Sequence, residues 1–188
     1  MSANALKRSK LENAQGDIVA RNPAQKELLD AGMLTTGFSW VLQMPTGSGK
    51  TWLAEQAISA TLEQGYRAIY LTPLRALANE LGARWKARFA RWNVGVYTGE
   101  TLAKGRAPSV PFGEAHLLIL TPERLDACVR SWRSHWSWMP EVELLVVDEI
   151  HLLGDRQRGP RLEGTLARIR RLNPFLRILG LSATLGNR

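Results

Sequence analysis

Residues 44–51 read Met-Pro-Thr-Gly-Ser-Gly-Lys-Thr. A chain that turns on closely spaced glycines can aim its backbone N–H groups inward at oxygen atoms. A helix beginning just after the turn adds its partial positive charge. Thr46, Gly47, Ser48 and Gly49 are therefore a candidate cradle for a phosphate chain. Lys50 would reach the β- and γ-phosphates, and the Thr51 hydroxyl would join a magnesium shell. Met44 stands where the general pattern for such loops has glycine; a side chain is tolerable there if it points into a sheet. Farther on, an apolar run ends in Asp148 and Glu149. Asp148 could hold magnesium through its water shell, and Glu149 could orient or deprotonate an attacking water. Alone, the first feature is a glycine-rich turn and the second a solvated strand end. Together they have the parts for hydrolysing a nucleoside triphosphate.

Both features need a scaffold that brings them side by side. Six short β-rich runs, 38–43, 67–72, 93–98, 116–121, 143–148 and 175–182, read as strands. Most are nearly continuous in apolar residues, as parallel strands covered on both faces are. Helical patterns lie between them, at about 51–64, 74–91, 122–134 and 160–172. This alternation predicts an α/β domain with a mainly parallel sheet flanked by helices in three layers. Right-handed crossovers then put the strand C-termini along one edge, where ligands bind. Residues 99–115 carry Gly and Pro with little periodicity and read as a loop or small insertion. Residues 1–20 read as an arm or helix, and 21–188 as the domain.

The composition narrows the class. With 188 residues, 45% hydrophobic and 22% charged, the chain can bury a sizeable core. No apolar run approaches the roughly 18–20 residues of a membrane span. The basic start has no apolar core or cleavage site, so the expectation is a soluble cytoplasmic protein with no membrane partner. One cysteine, Cys128, excludes an internal disulfide and is expected to pack as a small apolar residue. Lys and Arg outnumber Asp and Glu by 25 to 17, a net charge of +8 that favours polyanionic partners.

In order along the chain stand NPAQ (22–25), PTGSGKT (45–51), PLRALANE (73–80), TGE (98–100), TPERL (121–125), DEIH (148–151) and SAT (182–184). With them the chain, from about Asn22 to Asn187, resembles the first RecA-like motor domain of superfamily 2 helicases. The resemblance is to the DExH branch of superkiller-type RNA helicases and archaeal repair DNA helicases. It implies a P-loop nucleoside triphosphatase using ATP and Mg2+. It places Gln25 at the adenine edge, where an amide can both donate and accept. Pro73, Arg75, Thr98, Gly99, Thr121, Pro122 and Arg124 fall in segments the family uses to hold a nucleic-acid backbone. His151, Ser182, Ala183 and Thr184 would couple the γ-phosphate pocket to that face. The implied partners are single-stranded or partly duplex DNA or RNA and a second RecA-like domain that supplies arginines to the γ-phosphate. Without that domain, weak ATP binding, slow hydrolysis and no unwinding are expected.

Other readings stay open at this level. A nucleotide-gated binding module would use the same loop without moving along a strand. A P-loop kinase would leave TPERL and SAT without a purpose. Trp85, Phe89 and Trp92 read as the core face of a helix whose neighbouring arginines are solvated, with a single-strand platform as the alternative. Trp132, Trp136 and Trp138 read as core or partner-docking residues. His116 and His135 lack the companions a zinc site needs.

Overall fold

The computed structural model describes residues 18–99 and 110–183. Six strands form one sheet: β1 (Trp40–Met44), β2 (Arg67–Leu71), β3 (Val94–Tyr97), β4 (Leu117–Leu120), β5 (Val142–Val147) and β6 (Arg177–Ala183). Their spatial order is β1-β6-β5-β2-β4-β3, and every pair is parallel. The helices are α1 (Pro23–Asp30), α2 (Lys50–Glu63), α3 (Arg75–Arg88), α4 (Pro122–Arg130), α5 (Trp132–His135) and α6 (Gly159–Leu172).

Alternation along each strand divides the interior into two cores. Tyr70, Ile119, Leu144 and Val146 face the layer of α2 and α3, with Leu53, Ile58, Leu81 and Trp85. Ile69, Leu71, Leu120, Leu145 and Val147 face the layer of α4 and α6, with Leu125, Val129, Leu162 and Ile169. β2, β4 and β5 are buried on both sides, which is why their sequences are apolar without interruption. β1 is an edge strand, and its outward Val41 is exposed. Cys128 is buried in the second core, where burial pushes its thiol up to about 11. Among the described residues no helix is long and apolar enough to cross a membrane.

Two elements differ from the sequence reading. The helix expected over 122–134 breaks at Ser131, whose hydroxyl donates to the Ala127 carbonyl and accepts from the Trp136 indole. α1 went unread. Its signal is Asn22-Pro23, an N-cap amide accepting from the Gln25 N–H with proline in the first turn. The arm expected at 1–20 lies almost wholly outside the described residues, as does much of the 99–115 loop, of which Phe112–Glu114 forms a 3-10 turn. Trp85 and Phe89 are core residues, as expected. Trp136 and Trp138 join the second core, and Phe112 packs edge-on against Trp136.

Candidate nucleotide and strand-binding edge

The C-terminal ends of all six strands share one edge. Register aligns them: Met44 lies opposite Ala183, Val147 opposite Gly180, and Leu71 opposite both Val147 and Leu120. β6 runs past the last residue of β5, so Leu181, Ser182 and Ala183 sit between the loop after β1 and the acids after β5.

The loop after β1 is built on two left-handed glycines, Gly47 (φ 77°) and Gly49 (φ 92°). Ser48 closes the turn, its N–H and hydroxyl both donating to the Pro45 carbonyl at 3.3 and 2.6 Å. Gly49 hands the chain to α2, whose first internal hydrogen bond runs from the Leu53 N–H to the Gly49 carbonyl. The amides of Lys50, Thr51 and Trp52 thus have no acceptor within the helix. The Lys50 ammonium folds back over the loop and donates to the Met44 and Pro45 carbonyls at 2.8 and 2.9 Å. Met44 does point into the sheet, buried in the first core.

Gln25 is 2% exposed. Its Nε2 donates to the Ser48 carbonyl (3.0 Å) and its Oε1 accepts from the Arg21 N–H (2.8 Å). Asn22 Nδ2 donates to the same Ser48 carbonyl at 3.0 Å. A Cβ at Gly49 would collide with Gln25 Nε2. α1 is therefore clamped onto the phosphate-type loop, and Gln25 is packed against it rather than lying on a helix surface.

Asp148 leaves β5 with its N–H donated to the Leu71 carbonyl (2.8 Å) and its Oδ1 accepting from the Glu149 N–H (3.0 Å). Burial pushes its carboxyl above the usual range, opposed by a hydrogen bond from the Tyr70 phenol; the neighbouring Glu149 charge raises it and the Lys50 charge lowers it. The Lys50 ammonium is thus near enough for its charge to act on Asp148. Tyr70 is almost fully buried on β2 beside β5, edge-on to Trp85 with ring centroids 4.9 Å apart. Burial, and then the Asp148 charge, raise its phenol far above the ordinary value, so it stays a donor. Trp85 in turn donates to Glu55 on α2 at 2.7 Å. Tyr70 had no signal of its own in the sequence, because its role comes from β2 lying beside β5.

Glu149 is the one non-glycine residue with positive φ among those described, at 54°. This conformation is uncommon for such a residue and turns the chain sharply after Asp148. His151 Nδ1 lies 3.2 Å from Glu149 Oε2 and 3.5 Å from Ser182 Oγ, which also donates to the Ala183 carbonyl. The expected acid, histidine and serine are thus adjacent; Thr184 lies outside the described residues.

The other expected residues are distributed unevenly. Pro73, Arg75, Thr121 and Pro122 line a cavity of about 260 Å3 with Gln157, Arg158 and Arg161. Gly99 is exposed, and a Cβ there would touch the Arg75 guanidinium. Thr98 is buried, at 1% exposure. Arg124 turns inward: its guanidinium lies 5.2 Å from the Phe112 ring and 5.7 Å from that of Trp136. Arg158 and Arg161 were not singled out in the sequence. They reach this cavity because Asp155 accepts the Gln157 and Arg158 N–H groups and so starts α6 beneath it.

A parallel sheet of this order, with a phosphate-type loop after the first strand and an acid pair after the fifth, defines a RecA-like α/β domain. The chain belongs to the DEAD/DEAH box helicase family, whose description matches residues 22–188. It is similar to the ATP-dependent DNA helicase Hel308 of Methanocella arvoryzae, at 37% identity over 172 residues, which are 88% of this chain and 22% of that protein. The Hel308 of Methanocaldococcus jannaschii is 36% identical over 183 residues, covering 90% of this chain and 14% of that protein. The chain thus spans less than a quarter of the length of either relative. The DUF1998 helicase MrfA has the same fold, with a TM-score of 0.71 at 22% identity over 95% of this chain and 29% of that one.

Proposed function

We propose that this chain is the first motor domain of an ATP-dependent DNA helicase or translocase. Mg-ATP would bind between the β1 loop and the β5 acids, and a nucleic-acid backbone would bind at the arginine-lined end of the same edge. The observation that carries the reading is the bridge between these two ends. Glu149 and His151, on the turn after β5, touch Ser182 on β6 in series, and Leu152 of the same turn lines the arginine cavity. The choice of DNA rests on the names of the two relatives.

In this reading the Lys50 ammonium exchanges two carbonyls for β- and γ-phosphate oxygens without leaving the loop. The free amides of the first turn of α2, with Thr46, Gly47, Ser48 and Gly49, take the remaining oxygens. Magnesium would be held by the Thr51 hydroxyl and by Asp148 through water, and would neutralise phosphate charge there. The residues fit it: a carboxylate raised by burial beside a second carboxylate is a place that favours a cation. Among the described residues no group of three or more His, Cys, Asp and Glu side chains could hold a metal, so nucleotide and water would complete the shell. Glu149 orients or deprotonates the attacking water. Gln25, with one N–H already fixed on Ser48, keeps a second N–H and a lone pair for an adenine edge. Arg75, with Pro73, Gly99, Thr121 and Pro122 around it, holds phosphates without reading bases; Thr98 and Arg124 support that surface from within. A second RecA-like domain would add the arginines that close the γ-phosphate site. Without it hydrolysis is slower by about 10³–10⁵.

The test is nucleotide binding and phosphate release by the chain, alone and joined to a second motor domain, with DNA and RNA single strands as separate stimulants. Nucleotide binding lost in Lys50→Ala, with phosphate release lost but binding kept in Glu149→Gln, is the expected pattern. Vigorous hydrolysis by the chain alone, or hydrolysis indifferent to strands after joining, would count against the proposal.

A further inference from the structure

The seam between α4 and α6 carries charge that the reactions above do not use. At its centre Asp126, 5% exposed, accepts from Arg168 Nη1 (2.8 Å), Arg130 Nε (3.0 Å) and the Thr165 hydroxyl (3.2 Å), with Arg161 Nε at 3.8 Å. One acid therefore fixes three guanidinium groups while their side chains stay 44–59% exposed. Toward the strand edge, Arg161 lines the 260 Å3 cavity with Arg75 and Arg158. Away from it, Arg130 and Arg168 line a larger cavity of about 670 Å3 with Arg133, Arg171 and Trp132. Asp126 lines neither cavity but pairs with arginines of both, Arg161 in the smaller, whose lining also includes Glu123, and Arg130 and Arg168 in the larger.

We propose that this seam is a second phosphate-binding surface, which holds the backbone of a DNA duplex flanking the strand held at the sheet edge. The inference rests on the function proposed above. From Arg158 to Arg171, α6 rises about 20 Å, the axial length of about six base pairs. Arginine forks match phosphate oxygens, and fixing them in advance lowers the entropy lost on binding. A single strand would need exposed aromatic faces for its bases. Trp132, the aromatic side chain lining the larger cavity, is half-buried, with Arg133 5.5 Å from its ring centre. A protein partner would need apolar anchors. Among the described residues, the exposed large apolar ones, Val19, Phe38, Val41, Leu74, Leu153 and Phe175, are all absent from this lining.

The experiment measures binding of the chain to a short fluorescent single strand and to the same strand extended by a duplex, at several salt concentrations. Arg133→Ala/Arg171→Ala removes two charges that no carboxylate among the described residues pairs, and Arg171→Glu provides a second variant; thermal melting confirms that both fold. The double variant should bind the short strand as the parent does. For the extended probe, the slope of log affinity against log salt should fall by about 1.4–1.8, the value of two phosphates. From 50 to 200 mM salt the parent would then lose about 7–12-fold more affinity than the variant. An unchanged slope, or equal losses on both probes, overturns the seam. So does displacement of poly-glutamate, without any change in DNA binding, in the two variants. If the parent binds the short strand and Arg75→Ala weakens that binding while the seam variants change nothing, only the seam falls. If the parent binds neither probe, the proposed function falls and the seam with it.

Discussion

Tyr70→Phe removes one oxygen from a buried site and leaves the ring packed on Trp85. Its consequence should be electrostatic. The phenol donates to Asp148, a carboxyl already pushed up by burial and by the Glu149 charge. A hydrogen bond to a charged group is worth about 1.5–3 kcal/mol, and the lower part of that range suits a half-buried acid. Losing it raises the Asp148 pKa further, by about one unit. The proposed role in holding magnesium needs the ionised form. Magnesium-supported binding of a fluorescent ATP analogue should therefore decline at a higher pH in the variant than in the parent, with inflections separated by about one unit. Between the two inflections the variant is the weaker binder; above both the two coincide. Stability follows the same sign. Because the folded pKa is raised, ionised Asp148 costs the fold stability once the pH climbs past the unfolded value, and Tyr70→Phe increases that cost. A deficit of the same size at every pH, or coincident profiles, would refute the argument.

Gly49→Ala forces a left-handed alanine and a clash with Gln25, at a cost of about 1–3 kcal/mol, which calorimetry should record as a fall in Tm of about 2–12 °C. Asp126→Asn leaves three arginines without their acid and should cost about 2–3 kcal/mol near neutral pH, less than for a fully buried pair because the arginines reach solvent. Burial raises the Asp126 carboxyl, but bonds from Arg130 and Thr165 and the charges of Arg130 and Arg168 hold it below the usual range. This stabilisation is present above the unfolded pKa and is lost as the pH falls through the folded one, so denaturation curves of the two proteins should converge in acid. His151→Ala, in the chain joined to a second motor domain, should keep ATP binding and lose most of the stimulation by strands; unchanged stimulation would remove His151 from the coupling path.

What the sequence disclosed was mostly local or doubly buried. β2, β4 and β5 announce themselves because both faces are covered, and the β1 loop because its glycines, lysine and threonine are contiguous. α1 was obscure because its one buried residue is the polar Gln25, so no apolar stripe marks it. The Ser131 break depends on an indole five residues on. Arg124 reads as a phosphate contact within TPERL, and its packing against the Phe112 and Trp136 rings depends on segments outside that motif. Tyr70, Arg158 and Arg161 needed the strand order and the start of α6, which no short pattern contains.

Glu149 sits in a backbone basin that glycine or asparagine enters more cheaply. A library screened for heat tolerance alone should drift toward those residues at this position, since relaxing the kink would recover about 1–3 kcal/mol. A library screened for turnover should hold the glutamate. The left-handed twist after β5 thus marks a point where selection for endurance and selection for work pull the same codon in opposite directions.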